Sequence, residues 1–121
     1  DKTATVSKVL SAEDLVRYQA MVKNILVEPQ LIEYIAKIIQ NTRENSFLYL
    51  GASPRASLAI LNASKGFAAL AGRDFVTPED IKQAAYPVLE HRVILSPEKE
   101  MEGIKIEQII QQIIESVEIP R

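Results

Sequence analysis

The stretch GASPRA, residues 51–56, determines where a long helix begins in this chain. Ser53 is a residue type that caps helices, and Pro54 suits the first helical position, where its missing N–H would have no partner anyway. Arg55 then becomes the second helical residue, close to the positive end of the helix dipole, where a cation costs about 0.3–1 kcal/mol. Two interpretations are open. An anion such as phosphate binds the guanidinium and the free N–H groups, or the arginine bends into solvent.

Two amphipathic helices precede this stretch. Ser11 caps the first, which ends before Pro29, and the second follows that proline. Each helix repeats apolar residues every three or four positions and carries polar residues on the opposite side, so each is expected to bury one stripe. The stripes are Leu15, Tyr18, Val22 and Ile25 in the first helix, and Leu31, Ile32, Ile35, Ile38 and Ile39 in the second.

The helix that follows Ser53 runs to about Leu70 and is apolar nearly all round. Only a narrow strip made of Ser57, Ser64 and Lys65 is polar. A helix with this pattern is typically surrounded by other elements. We therefore predict that it is the central and most buried element.

The rest of the chain adds two more helices. Thr77 caps the next one, with Pro78 at its first position, and Pro87 is expected to kink or restart it. Residues 97–103 resemble a loop, and the last helix ends near Pro120. Its start is open, because Lys105 has no side-chain oxygen with which to cap. The fold prediction is all-α, a small bundle of about five helices, with at most a short extended segment near 93–95.

The composition excludes several classes of protein. The 121 residues include no cysteine, which excludes disulfides and fits a reducing cytoplasm. The net charge of -2 argues against a broad surface for nucleic acid. No apolar run approaches the roughly 20 residues that span a membrane, and residues 1–3 do not begin a signal peptide. We expect a cytoplasmic protein of one domain, without a nucleic-acid partner and without membrane insertion.

The residues that would carry catalysis are missing. His91 is the only histidine, and beside Arg92 it is better interpreted as a surface or interface residue than as a metal ligand. Neither a G-x-x-x-x-G-K-[ST] loop nor a G-x-G-x-x-G loop is present. We therefore expect no catalytic residues, no metal site and no turnover by this chain alone.

Four segments taken together resemble the C-terminal lid of MoxR-type AAA+ ATPases. They are LSAEDL at 10–15, GASPRA at 51–56, GRDFVTPEDI at 72–81 and HRV at 91–93. The resemblance covers residues from about 9 to 121 in the right order. GASPRA is its specific part, whereas VTPEDI also occurs in histone folds. VTPEDI therefore also motivates an alternative, a histone-fold-like helical module that binds proteins or DNA, although the acidic balance counts against DNA.

The resemblance implies a site and a cofactor. In such ATPases a separate α/β core carries the Walker A and Walker B segments, and an arginine at the start of a lid helix, called sensor 2, contacts the nucleotide phosphates. Arg55 matches that arginine. Ser53 and Pro54 would set the helix start that aims it, and Gly51 would let the loop pass close to nucleotide or core. ATP and Mg²⁺ belong to the parent protein, and neither is expected to bind the fragment alone.

The resemblance also implies a domain arrangement and partners. Residues 1–10 correspond to a connector from a missing N-terminal AAA+ core, and residues 11–121 to the lid. Family members form ring homo-oligomers, usually hexamers, and act as chaperone-like motors on partners that often contain von Willebrand factor A domains. An exposed apolar patch is expected near the start of the third helix, where the core would dock.

Overall fold

A computed structural model describes residues 2–121 of the chain. Six α-helices, one short 3-10 helix and one two-stranded sheet make up the described part, so the predicted all-α class and the small bundle are confirmed. The 3-10 helix spans Lys2–Thr5. The α-helices are α1 Ala12–Lys23, α2 Pro29–Glu44, α3 Pro54–Leu70, α4 Pro78–Leu89, α5 Pro97–Met101 and α6 Ile106–Ser116, and the strands are β1 Leu48–Leu50 and β2 Ile94–Leu95.

Four of the helices enclose the core. α3 packs against α4 and α2, and α6 packs against the same two helices, so that each of the four has two neighbours. The largest apolar contributions come from α2 and α6, whose isoleucines recur at helical spacing. The buried isoleucines are Ile35, Ile38 and Ile39 on α2 and Ile109, Ile110, Ile113 and Ile114 on α6.

The structure corrects the prediction that α3 is the most buried helix. α3 lies centrally, but it buries only four residues, Ala56, Ile60, Ser64 and Ala68, whereas α2 buries six. Leu58 and Leu70 are 62% and 86% exposed. Small residues let α4 and α2 approach α3 closely along one stripe, and the rest of its apolar surface is left outside. Ser64, predicted to be polar surface, is buried because its hydroxyl donates to the Ile60 carbonyl at 2.7 Å.

The α1 helix is capped as predicted but is not buried as predicted. Ser11 and Asp14 form a reciprocal capping box, with both hydrogen bonds at 3.1 Å. No residue of α1 is fully buried, and Leu15 and Tyr18 of the predicted stripe are 51% and 43% exposed. Val22 is partly buried, and Ile25, just after the helix, is buried as predicted. On α2 the predicted stripe is buried except for Ile32, which is 50% exposed. The apolar stripe of α1 therefore faces outward along much of its length.

One of the two strands of the short sheet was predicted from the sequence. β2 falls in the extended segment expected near 93–95, and it pairs with β1 in antiparallel fashion, with Leu48 opposite Leu95 and Leu50 opposite Ile94. β1 lies between the second and third helices, where the sequence indicates no strand. Three residues are too few to show a period in the sequence, so only the partner strand reveals them.

Two other helix boundaries differ from the predictions. α5 forms inside the expected loop, where the Ser96 hydroxyl accepts from the Lys99 N–H at 3.4 Å and Pro97 occupies the first position. α4 runs through Pro87 to Leu89 without restarting. A proline this close to a helix end removes a hydrogen bond from the final turn only, so the helix tolerates it.

The open question at the start of α6 is answered by Gln108. Its side-chain oxygen accepts from the Lys105 backbone N–H at 3.1 Å. Lys105 contributes no side-chain acceptor of its own, so only one of the two bonds of a capping box forms.

A buried ion pair fixes the turn between α3 and α4. The two terminal guanidinium nitrogens of Arg73 donate to the Asp80 carboxylate, at 2.6 and 2.7 Å, and one of them also donates to the Phe75 carbonyl at 3.0 Å. Asp80 is 3% exposed. Its hydrogen bonds from Arg73 are the main reason why its pKa is lowered, against the opposing effect of burial. This pair is not indicated by the sequence, because Arg73 and Asp80 meet only once the turn has formed.

Candidate anion-binding site at the start of α3

The start of α3 has the predicted position but lacks the predicted cap. Ser53 occupies the N-cap position with extended backbone angles, and Pro54 is the first helical residue. The Ser53 side chain, however, makes no capping hydrogen bond. The first turn is closed only by the Ala56 N–H, which donates to the Ser53 carbonyl at 2.9 Å. This end of α3 therefore retains unsatisfied hydrogen-bonding capacity.

Arg55 extends from this end into solvent. Arg55 is exposed, and its side chain has no hydrogen bond or ion pair within residues 2–121. The guanidinium thus lies close to the positive end of a 17-residue helix, which opposes it electrostatically. A bound anion would be attracted by the cation, by the dipole and by the free N–H groups together.

The loop before this helix is attached to α2. Ala52 donates its N–H to the Thr42 hydroxyl at 3.0 Å, and both residues are 1% exposed. Gly51 lies so close to α2 that a Cβ on it would come within 2.6 Å of the Arg43 Cα and 2.7 Å of the Thr42 carbonyl oxygen. Within the domain, the small size of Gly51 is thus required by the α2 backbone.

A depression of about 550 Å³ lies beside the same helix start. Pro54 and Ser57 line it on the α3 side, and Gln40, Arg43 and Glu44 line it on the α2 side. Arg43 and Glu44 are both exposed, so the α2 side of the depression carries one cation and one anion.

The other residues considered for chemistry lie elsewhere. His91 is exposed in the turn after α4, as predicted. Arg92 is partly buried, and its Nε atom has no hydrogen-bond partner among the described residues. Residues 2–121 contain no group of three or more histidine or acidic side chains that could hold a metal ion. No helix in that range is long and apolar enough to cross a membrane.

Exposed apolar surface occurs at both ends of α3, although it was predicted only near the start. Near the start, Leu50 and Leu58 are 51% and 62% exposed. At the far end, a groove of about 880 Å³ runs between α1 and α3. Its apolar lining comes from Tyr18, Met21, Val22 and Ile25 on the α1 side, and from Ala69 and Leu70 on α3. The partly exposed stripe of α1 therefore forms one wall of this groove, with the buried Ile25 at its base.

Comparison with known proteins identifies the family. The AAA lid domain family matches residues 40–113, more than half of the chain. YeaC, an uncharacterised protein of Bacillus subtilis, is 39% identical over 116 residues, which are 96% of this chain and 36% of YeaC. The chaperone MoxR1 of Mycobacterium tuberculosis is 32% identical over 123 residues, covering 94% of this chain and 33% of MoxR1.

A solved structure agrees with these relatives. The crystal structure of a candidate ATPase from Cytophaga hutchinsonii superimposes with a TM-score of 0.90 and 35% identity, over 96% of this chain and 38% of that protein. The chain thus spans about a third of the length of the proteins it matches. The family match favours a lid over the histone-fold-like alternative. The chain belongs to the AAA lid domain family and is a helical lid domain of the MoxR-type AAA+ ATPases.

Proposed function

We propose that this lid responds to nucleotide, and that Arg55 is its sensor 2 residue, contacting the phosphates of ATP held by the AAA+ core of the parent protein. The observation that carries the proposal is the position of Arg55. It is an exposed cation beside a positive helix end, and it has no partner within residues 2–121. Such a placement costs free energy unless an anion binds there.

The chain's own groups suit a phosphate. The guanidinium can donate two parallel hydrogen bonds to phosphate oxygens, and the start of α3 adds its dipole and its free backbone N–H groups. Ser53 and Pro54 set the helix start, and Gly51 and Ala52 connect it to α2. ATP and Mg²⁺, held by the core, would supply the phosphoryl group and the charge neutralisation for hydrolysis. Loss of the terminal phosphate would remove a partner of Arg55 and release the lid.

The AAA+ core is also the proposed occupant of the groove between α1 and α3. Residues 2–10 are all exposed, and they lead directly into the α1 stripe that forms one wall of the groove. Under this proposal, residues 1–10 are the connector and residues 11–121 the lid. An apolar groove of this kind marks a surface that another protein surface covers.

The groove proposal is tested by Leu70→Gln in the full-length ATPase, with Met101→Gln as the matched control. The two side chains are 86% and 88% exposed, so neither change should destabilise the lid itself. Leu70→Gln should increase hydrogen exchange along α1 in the parent, whereas Met101→Gln on α5 should not. Equal exchange in both variants would contradict core docking at this groove.

The remaining parts of the proposal rest on the family alone. They are ATP hydrolysis by the parent, a ring of identical subunits, usually six, chaperone-like activity on partners with von Willebrand factor A domains, and a cytoplasmic location.

The sensor role is tested by Arg55→Ala in the full-length ATPase. Loss of a charge-assisted contact worth about 1.5–3 kcal/mol should weaken nucleotide affinity or hydrolysis by about 10- to 100-fold. Thermal unfolding of the lid should not show a loss of stability, because Arg55 is exposed and its side chain has no hydrogen bond or ion pair within residues 2–121. Lys37→Ala, which removes another exposed cation, is the control. Normal hydrolysis and normal nucleotide-dependent closure in Arg55→Ala would overturn the sensor role.

A further inference from the structure

The start of α3 is held from outside the helix. α1 and α4 each begin with a reciprocal capping box formed by their own residues. At α3 the N-cap side chain makes no such bond. The packing of α3, including the buried Ala56 in its first turn, positions this end, together with contacts made by the residues just before it, Gly51 and Ala52.

One of those contacts is a hydrogen bond from Ala52 to Thr42. Thr42 lies in the last turn of α2, and its hydroxyl donates to the Ile39 carbonyl at 2.6 Å and accepts from the Ala52 N–H at 3.0 Å. The hydroxyl hydrogen is used by Ile39, so the oxygen is oriented as an acceptor for Ala52. Because Thr42 and Ala52 are 1% exposed, water cannot replace this bond without a rearrangement.

The contact is also close in the steric sense. An added Cβ at Gly51 would lie 2.6–2.8 Å from three backbone atoms of α2, so the loop rests directly on that helix. Only Ser53 and Pro54 separate Ala52 from Arg55, and the proline ring fixes one of the intervening torsions. A displacement of Ala52 would consequently be passed on to Arg55 with little room for compensation.

We propose that Thr42 is a positioning residue for Arg55: its hydroxyl holds Ala52 against α2 and thereby sets the direction in which the Arg55 guanidinium leaves the start of α3. This inference rests on the proposed sensor function of Arg55. Thr42 does not touch the nucleotide. It acts by keeping the guanidinium in the geometry that a bidentate phosphate contact requires, and contacts of this kind lose much of their effect when displaced by about 1 Å.

A double-mutant cycle in the full-length ATPase tests the proposal, with the affinity for a fluorescent ATP analogue as readout. Thr42→Val keeps the shape and removes the hydroxyl. It should weaken affinity about tenfold in the wild-type background and leave it unchanged when Arg55 is already alanine. Thr42→Ser keeps the hydroxyl and should stay within about twofold of wild type.

Ser64→Ala is the matched control. Ser64 is 0% exposed and donates to a carbonyl of its own helix, as Thr42 does, but it makes no bond to the 51–52 loop. It should leave nucleotide affinity unchanged. Should Thr42→Val fail to fold, Thr42→Cys, which keeps a side chain of similar size with a weaker acceptor, enters the same cycle.

Two results separate this inference from the function on which it rests. The positioning role alone would be overturned if Arg55→Ala weakens nucleotide affinity as expected but Thr42→Val weakens it equally with and without Arg55. The same holds if Thr42→Val binds nucleotide normally. An Arg55→Ala variant with wild-type affinity and hydrolysis would overturn the sensor function and the positioning role with it.

Discussion

The starts of α3 and α4 have similar sequences and very different surroundings. Each has a hydroxyl residue at the N-cap followed by proline, Ser53-Pro54 in one and Thr77-Pro78 in the other. At α4 the Thr77 hydroxyl accepts from the Asp80 N–H at 3.4 Å, and the Asp80 carboxylate accepts from the Thr77 N–H at 2.9 Å. At α3 neither bond has a counterpart.

The charged residues in the first turns of α3 and α4 also differ. α4 places two acids in its first turn, where the dipole favours them, and one of these acids also binds Arg73. α3 places Arg55 there and no acid. One helix start satisfies its own hydrogen bonds and charge within the domain. The other leaves both open, and the residues just before it contact α2.

The largest expected effect comes from breaking the α2 support of α3. Gly51→Ala forces a Cβ to within 2.6–2.8 Å of the α2 backbone. Because backbone atoms cannot move aside easily, the free energy of unfolding should fall by about 3 kcal/mol, in the upper range for overpacking. Urea unfolding measures it.

Gly66→Ala is the control for that variant. Gly66 lies within α3, and a Cβ there meets nothing within 4 Å, so the change should stabilise the domain by about 0.5–1 kcal/mol. Equal changes in the free energy of unfolding in Gly51→Ala and Gly66→Ala would contradict the close contact between residue 51 and α2.

The second-largest effect is expected at the start of α4, from the loss of the hydrogen bonds that Asp80 makes within the domain. Asp80→Ala removes the acceptor of Arg73 and one half of the capping box. Loss of charge-assisted bonds should lower the free energy of unfolding by about 2–3 kcal/mol. Glu79→Ala, whose side chain is 81% exposed one position earlier, should stay within about 0.5 kcal/mol of wild type. A similar loss at both positions would mean that the Arg73 pair is unimportant.

Acid should weaken α4 by a smaller amount. The pKa of Asp80 is lowered in the folded domain, chiefly by its hydrogen bonds with Arg73. Its contribution is therefore complete above the unfolded-state pKa of about 3.9 and is lost as the pH falls from there through the folded pKa. Asp80→Asn should show a shallower loss of stability below about pH 4. Unfolding curves recorded at several acidic pH values would contradict this if the two proteins lost stability in parallel.

The two N-cap hydroxyls offer the most direct comparison. Thr77→Ala should cost about 1 kcal/mol, the usual value for a lost cap. Ser53→Ala should cost no more than a few tenths of a kcal/mol, because no capping bond is lost there. Thermal unfolding of the two variants side by side tests the difference. Equal losses would mean that Ser53 caps α3 in solution after all.

The smallest effect has the opposite sign. Arg55→Glu replaces a cation with an anion at the positive end of α3 and should stabilise the isolated domain by about 0.5 kcal/mol at low salt. The gain should shrink as salt is added. The same change in the full-length ATPase should impair nucleotide binding. A loss of stability in the isolated domain would show that Arg55 has a structural partner.

The sequence predicted those features that depend on a few neighbouring residues. The caps of α1 and α4 and the boundaries of α3 are local, so Ser11, Thr77 and Pro54 indicate them directly. The β1–β2 pair and the Arg73–Asp80 pair join residues whose proximity is created only by the fold. The burial of α1 was predicted wrongly because periodicity shows that a stripe is apolar, not that a partner within the same chain covers it.

Of the two residues proposed to act at the candidate site, only one could be predicted from the sequence. Arg55 follows from the local sequence, because a cation after Ser-Pro opposes the helix dipole. Thr42 does not, because a single threonine near the end of an amphipathic helix looks like any polar surface residue. Its role depends on the return of the loop to α2, which no nearby residue indicates.

The length of α3 has a mechanical consequence. Its 17 residues form a rod about 25 Å long, with Arg55 near one end and the apolar groove near the other. If the whole lid pivots at the groove as a rigid body, a tilt of about 10° moves the Arg55 end of α3 by about 4 Å. A hydrogen bond does not survive a displacement of that size. A small rotation of the whole lid would therefore make or break the proposed phosphate contact while the contacts between α3 and α2 stay intact, and α3 would act as a lever arm.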